Sequence, residues 1–262
     1  MKFQYALPTR CLSTSLKQAL LTAARFKVAG VQLDVRQEVS PDQMGSTAIR
    51  DFKNRLNEMN LKVASGAFPM RQAIYDPQWI EQRLEALRSA MTFCFQLGTD
   101  VLTVRPGRLP DPEQRPAEWQ VLCEVLNDLA RFGNHAGVTL CLSLSMEFPA
   151  RVRQLLQAVI EGPLGINFDP LNVMVSENGL NEVVREFHAE IKHVRARDGI
   201  RNVDDEVEEC PLGMGGVDWP LFLGLLHEAD YRNWIVLDRT SGDDRIRDLS
   251  VGLSYLRELS PF

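Results

Sequence analysis

I-K-H-V-R-A-R-D, residues 191–198, alternates with a period of two: Val194 and Ala196 fall on one face, His193, Arg195 and Arg197 on the other. Successive side chains of a β-strand point to opposite faces, so the segment reads as a strand with one apolar and one charged side. A parallel barrel puts those faces to use. The outer face packs under helices, and the inner face lines the mouth near the C-terminal strand ends. Two further stretches carry the same signature. In Val138–Ser145, Val138, Leu140, Leu142 and Leu144 lie opposite Thr139, Cys141, Ser143 and Ser145. In Trp234–Arg239, Ile235 and Leu237 lie opposite Val236 and Asp238.

Outward from these, the chain alternates short apolar strands with amphipathic helices. Strands are expected at Phe3–Leu7, Gly30–Val35, Lys62–Ala67, Val101–Arg105, Val138–Leu144, Gly165–Asp169, Ile191–Arg197 and Trp234–Asp238. Helices are expected at Ser13–Phe26, Pro77–Leu97, Glu118–Asn134 and Trp219–Ala229, with a last one at Ile246–Leu259. In Gln78–Leu97, Ile80, Leu84, Leu87, Met91 and Phe95 recur every three or four residues, which defines one buried stripe. Eight strand–helix units in 262 residues predict a single-domain (β/α)8 barrel of α/β class, residues 1–262, with a doubly wound open sheet as the alternative.

The bulk properties narrow the function. A net charge of −6 disfavours a nucleic-acid surface. No apolar run approaches the roughly 20 residues of a membrane span, and the first residues lack the apolar core of a signal peptide. Five cysteines, odd in number and without metal-type spacing, argue against a disulfide framework or a zinc knuckle and imply a reducing cytoplasm. The segment Gly199–Gly216 is acidic and then turn-rich. It follows the seventh strand, so both a lid over the mouth and a solvated loop fit it.

Four motifs in order, G-V-Q-L-D at Gly30–Asp34, F-D-P-L-N at Phe168–Asn172, H-V-R-A-R-D-G at His193–Gly199 and P-L-G-M-G-G-V-D-W at Pro211–Trp219, with Y-R-N-W-I-V-L-D at Tyr231–Asp238, resemble the sugar phosphate isomerase/epimerase group of xylose isomerase-like barrels. The resemblance implies a barrel acting on a carbohydrate or sugar acid by proton transfer beside a carbonyl. It also implies a divalent metal (Mn, Mg or Zn) held by a Glu ending strand five, an Asp ending strand six, a His in strand seven and a Glu ending strand eight. At those positions this chain carries Ser143, Asp169, Arg195 and Asp238.

A serine hydroxyl is a poor divalent-metal ligand, and a guanidinium stays protonated and cannot ligate. The expectation is therefore a metal-free cluster in which Arg195 balances Asp169 and Asp238, with no cofactor, and altered or lost activity. Asp238 and Asp169 are the candidate catalytic groups. Arg195, Asn172, Arg197, Arg105, Arg71, Ser143 and His193 are the candidate ligand contacts, with the hydrogen-bonded core histidine as the favoured alternative reading of His193. The Gly213–Gly216 turn could offer backbone N–H groups to an anion.

Two other functions compete with the isomerase. One is an inactive barrel that binds a small anionic ligand or a partner protein, with a homo-oligomer left open. The other is the endonuclease branch of the same group. It needs many histidines, whereas this chain has four, three of them (His135, His188, His227) on expected helices or their ends.

Overall fold

Eight parallel strands close on themselves, each paired with its neighbours in chain order and the last with the first, and helices fill the crossovers. The computed structural model describes residues 3–146, 148–174, 178–204 and 206–260. In chain order the strands are β1 (Gln4–Pro8), β2 (Gly30–Asp34), β3 (Lys62–Phe68), β4 (Val101–Val104), β5 (Thr139–Leu142), β6 (Leu164–Phe168), β7 (Ile191–Ala196), β8 (Asp198–Arg201), β9 (Val207–Cys210) and β10 (Trp234–Leu237). The helices are α1 (Thr9–Leu12), α2 (Leu16–Arg25), α3 (Ser46–Glu58), α4 (Ile80–Leu97), α5 (Pro116–Ala136), α6 (Pro149–Ala158), α7 (Pro170–Val173), α8 (Leu180–Phe187), α9 (Trp219–Glu228) and α10 (Arg245–Leu259). This is the (β/α)8 barrel that the alternation predicts; the open sheet is excluded by the β1–β10 pairing, which registers Gln4 with Trp234 and Ala6 with Val236.

The strands behave as their periodicity requires. Leu140, Leu142, Val194, Ala196, Ile235 and Leu237 are fully or almost fully buried under the helices. They join one large apolar cluster with α4, α5 and α9, where Phe168 stacks on Phe222 and Trp219 meets Phe222 edge-on. At roughly 1.5–3 kcal/mol for each fully buried aliphatic or aromatic side chain, this layer between barrel and helices is the main source of stability. One expectation fails here. Phe95 is 62% exposed, off the buried stripe of α4, and its ring lies against the exposed turn at Gly137 instead of the barrel.

Two irregularities aim polar side chains into the barrel. Against β2, β3 carries one extra residue, Ala64, so that Val31 pairs with Val63 but Gln32 with Ser65. Against β6, β7 carries Lys192 in the same way, so that Ile166 pairs with Ile191 but Asn167 with His193. Such bulges re-aim the residue that follows; here those residues are Ser65 and His193, both fully buried inside the barrel.

The segment between β7 and α9 is neither a bare loop nor a free lid. Its first half is a two-stranded antiparallel hairpin, β8–β9, registering Asp198 with Cys210 and Arg201 with Val207. Asp205, between β8 and β9 in the sequence, lies outside the described residues.

Candidate functional site

Asp238 immediately follows β10, and its N–H donates to the carbonyl of Ala196, which keeps the strand end registered against β7. Its side chain is 1% exposed and surrounded by donors. Oδ2 accepts from Arg195, whose Nε and Nη2 both lie 2.6 Å away, and from Arg10 Nη2 at 2.9 Å. Oδ1 accepts from the Cys11 thiol at 3.0 Å. Burial alone would raise this carboxyl. The charges of Arg195 and Arg10, with hydrogen bonds from Cys11 and Arg195, outweigh burial and hold it below the usual carboxylate range. Cys11 moves the other way: burial, then the Asp238 charge, pushes its thiol up to about 12, so it stays protonated.

Asp169 follows β6 and caps α7, where Oδ1 accepts from the Leu171 N–H at 3.1 Å. Its Oδ2 faces Arg197, with Nε at 2.7 Å and Nη2 at 2.6 Å. Nη1 of Arg195 lies 3.9 Å from the same oxygen. Arg195 thus binds Asp238 and reaches toward Asp169, and its side chain keeps 22% exposure to the mouth. Burial dominates at Asp169 and raises its carboxyl, only partly offset by the charges of Arg197 and Arg195.

A second ring of charge anchors the hairpin. Arg197 Nη1 lies 3.2 Å from Glu209 Oε2, and Arg239 Nη1 lies 3.2 Å from Glu209 Oε1. Arg239 Nε also pairs with Asp248 at 2.8 Å. Glu209, on β9, therefore joins the mouth to α10. Its carboxyl is raised by burial but held below its usual value by hydrogen bonds from Thr240 and by Arg197 and Arg239.

The glycine-rich turn after the hairpin is committed elsewhere. The N–H groups of Gly213, Gly215 and Val217 donate to the buried Asp198 carboxylate at 2.9, 3.3 and 3.2 Å, and Trp219 Nε1 adds a fourth bond at 2.9 Å. Met214 N–H goes to the Pro211 carbonyl and Gly216 N–H to the Gly199 carbonyl. The expectation that Gly213–Gly216 would receive an external anion is corrected: an internal carboxylate and two carbonyls already occupy its donors. Gly215 is required there, because a Cβ would sit 2.1 Å from Asp198 Oδ1.

Ser143, just past β5, is tied to the barrel interior and not to the ion pairs. Its Oγ accepts from Asn167 Nδ2 at 2.7 Å. Asn167 Oδ1 lies 2.7 Å from His193 Nδ1, and His193 Nε2 lies 2.8 Å from Ser65 Oγ. Burial, helped by the nearby Arg195 charge, lowers the His193 pKa to about 3, so the imidazole is neutral and His193 is the hydrogen-bonded core residue of the two readings. Asn172 bridges the two systems, donating to the Leu144 carbonyl at 3.2 Å while its Oδ1 stands 3.5 Å from Arg197 Nη2. Arg71 and Arg105 lie just after β3 and β4, both exposed.

Arg10, Cys11, Glu209 and Asp198 escaped the sequence reading. Arg10 and Cys11 lie two and three residues past β1, within α1, beyond the position directly after a strand that points to Asp169 and Asp238.

A family model described as xylose isomerase-like TIM barrel matches residues 20–259. Inosose dehydratase of Histophilus somni is 24% identical over 168 residues, 55% of this chain and 56% of the relative, so the chain spans about half the length of the curated relatives it matches. Among solved structures, a xylose isomerase domain protein from Planctomyces limnophilus superposes with a TM-score of 0.85 at 18% identity, covering 99% of this chain and 98% of the other. D-allulose 3-epimerase from Methylomonas sp., solved with D-allulose, gives 0.75 at 18% identity, covering 98% and 97%.

Proposed function

The chain belongs to the xylose isomerase-like TIM barrel family, and from that premise we propose that its mouth binds a small carbohydrate-like ligand bearing a carboxylate or phosphate, held by arginines in place of a metal ion. One observation carries this reading: the Arg195 guanidinium lies 2.6 Å from Asp238 and 3.9 Å from Asp169, between the two carboxylates that a metal would need. The donor set does not fit a divalent cation. Ser143 is neutral, Arg195 cannot ligate, and both carboxylates already accept charge-assisted hydrogen bonds that a metal would have to displace. Repulsion from the fixed guanidinium charge adds to that cost in a desolvated site.

The same arrangement suits an anion. Asp238 and Asp169 hold Arg195 and Arg197 in fixed orientations, and Arg195, whose side chain keeps 22% exposure, is placed to offer its remaining N–H groups to a ligand. Arg71 and Arg105 stand exposed after β3 and β4 and add positive charge at the rim. Relatives and structural neighbours described as acting on sugars and inososes supply the carbohydrate part of the reading.

A second reading, residual proton transfer, is favoured by one contrast. Asp238 is held ionised by two guanidinium groups and a thiol, which makes it a weak base, whereas burial raises Asp169. Of the two carboxylates, Asp169 is the one suited to exchange a proton with a bound carbonyl compound.

Isothermal titration with D-gluconate, D-glucose 6-phosphate and D-glucose tests the reading. The anionic compounds are expected to bind and neutral glucose not. Arg71→Ala and Arg105→Ala, both at exposed positions, should each weaken the anions by about tenfold, the loss of one charge-assisted contact. Equal binding of glucose, or indifference to both arginine variants, would refute it.

A further inference from the structure

The barrel interior holds a chain of hydrogen bonds whose direction can be worked out from one fixed end. Thr103 Oγ1 donates to the Gly66 carbonyl at 3.2 Å, and a carbonyl can only accept. A hydroxyl has a single hydrogen, so Thr103 meets Gln32 as an acceptor, and the Gln32 atom facing it must be the amide nitrogen, at 3.4 Å. That same Nε2 lies 2.9 Å from Ser65 Oγ, which therefore accepts and directs its own hydrogen to His193 Nε2 at 2.8 Å. A neutral imidazole that accepts at Nε2 carries its hydrogen on Nδ1. Nδ1–H then donates to Asn167 Oδ1 at 2.7 Å, which leaves the Asn167 amide nitrogen to donate to Ser143 Oγ at 2.7 Å.

The relay ends at the mouth. Gln32, Ser65, Asn167 and His193 are all buried, so water does not scramble the order, while Ser143 is half-buried where β5 opens. Ser143 Oγ accepts from Asn167, and among the described residues no acceptor takes its hydrogen.

We infer that the Gly66–Thr103–Gln32–Ser65–His193–Asn167 chain leaves the Ser143 hydrogen free and makes Ser143 a hydrogen-bond donor to the ligand, favouring an acceptor oxygen such as that of a carbonyl, carboxylate or phosphate at that point. Ser143 becomes a specificity-determining contact, and His193, through its tautomer, a positioning residue that never touches the ligand. The inference rests on the proposed anionic-ligand reading for the ligand's identity. The polarity of the chain stands independently of it.

The tautomer decides the polarity. His135, His188 and His227, all exposed, are replaced by Gln so that only His193 reports, and long-range ¹H–¹⁵N correlation is recorded near neutral pH. The expected result is hydrogen on Nδ1 and a bare Nε2. Hydrogen on Nε2 would overturn the inference, because Asn167 would then present its oxygen to Ser143 and consume the Ser143 hydrogen. Thr103→Val removes the anchor at nearly constant volume, and the second tautomer should then become populated; an unchanged spectrum counts against the anchor.

D-Gluconate titration tests the use of the hydrogen. Ser143→Ala and Asn167→Asp should each lower affinity by about tenfold, the second because a carboxylate captures the Ser143 hydrogen while His193 keeps Nδ1–H. Unchanged affinity in both variants would remove Ser143 from the site. If wild-type protein binds no gluconate, the anionic-ligand reading falls, and the His193 tautomer still decides the polarity.

Discussion

Replacing Arg195 by alanine should destabilise the protein by about 2–3 kcal/mol, an estimate that follows from the surroundings of Asp238. Truncating one partner of a buried ion pair costs roughly 3–5 kcal/mol, because the other charge is left uncompensated. Here two features reduce the figure. Arg195 is 22% exposed, and Asp238 retains Arg10 at 2.9 Å and the Cys11 thiol at 3.0 Å. For a chain of this size, that loss corresponds to a fall in Tm of roughly 5–10 °C. The assay is thermal unfolding followed by circular dichroism near neutral pH, checked by urea unfolding.

The pH dependence gives the same prediction a sign. Asp238 has a depressed carboxyl in the folded protein, so its stabilisation is present above the unfolded-state value of about 3.9 and is lost as the pH falls through the folded value. Without Arg195 the folded value rises, and Asp238 contributes less to the loss in acid. The Arg195→Ala/Asp238→Ala double variant should lose less than the sum of the single variants, since the two residues share one interaction. An Arg195→Ala protein within about 1 °C of wild type would refute the buried-pair reasoning.

His193, neutral with a pKa lowered to about 3, should make the protein less stable in mild acid. The unfolded chain binds a proton below about 6.5 and the folded one does not, so stability should fall by about 2 kcal/mol between pH 7 and pH 5, and His193→Asn should abolish this slope in urea unfolding. Asp198→Ala removes the acceptor for three loop N–H groups and the Trp219 indole, and should cost at least about 3 kcal/mol and expose the segment after β9 to limited proteolysis. Gly215→Ala should show the same phenotype more mildly, by pushing a methyl into Asp198.

The barrel was readable because its signal is local and repeated. Each strand announces an apolar outer face, as in Val194 and Ala196, and a polar inner one, as in His193 and Arg195. The meeting of Arg195 with Asp169 and Asp238 was also readable, since all three are strand-end residues. The division of labour was not. Sequence order pairs Arg195 with both carboxylates alike, but the chain gives Asp169 mainly to Arg197, because Asp169 caps α7 and turns its free oxygen toward the end of β7.

Long-range partners carried no local mark. Arg10 and Cys11 reach Asp238 across 228 and 227 residues. The Gly213–Gly216 turn looked like an anion nest because its composition is that of one. Only the fold shows that Asp198, fifteen residues before Gly213, is the anion it wraps. Phe95 satisfied the helical spacing and still faces outward, since periodicity places a residue near the edge of a stripe but does not settle which side of the edge it takes.

The central claim, that Arg195 stands where a divalent ion would be held, is tested most directly by metal stoichiometry. Wild-type protein and an Arg195→His/Ser143→Glu double variant are incubated with Mn²⁺, Mg²⁺ or Zn²⁺, desalted and analysed for bound metal. The account predicts no retained metal in the wild type and about one equivalent in the variant, whose added imidazole and carboxylate join Asp169 and Asp238. About one equivalent in the wild type, lost on Asp169→Asn or Asp238→Asn, would contradict it.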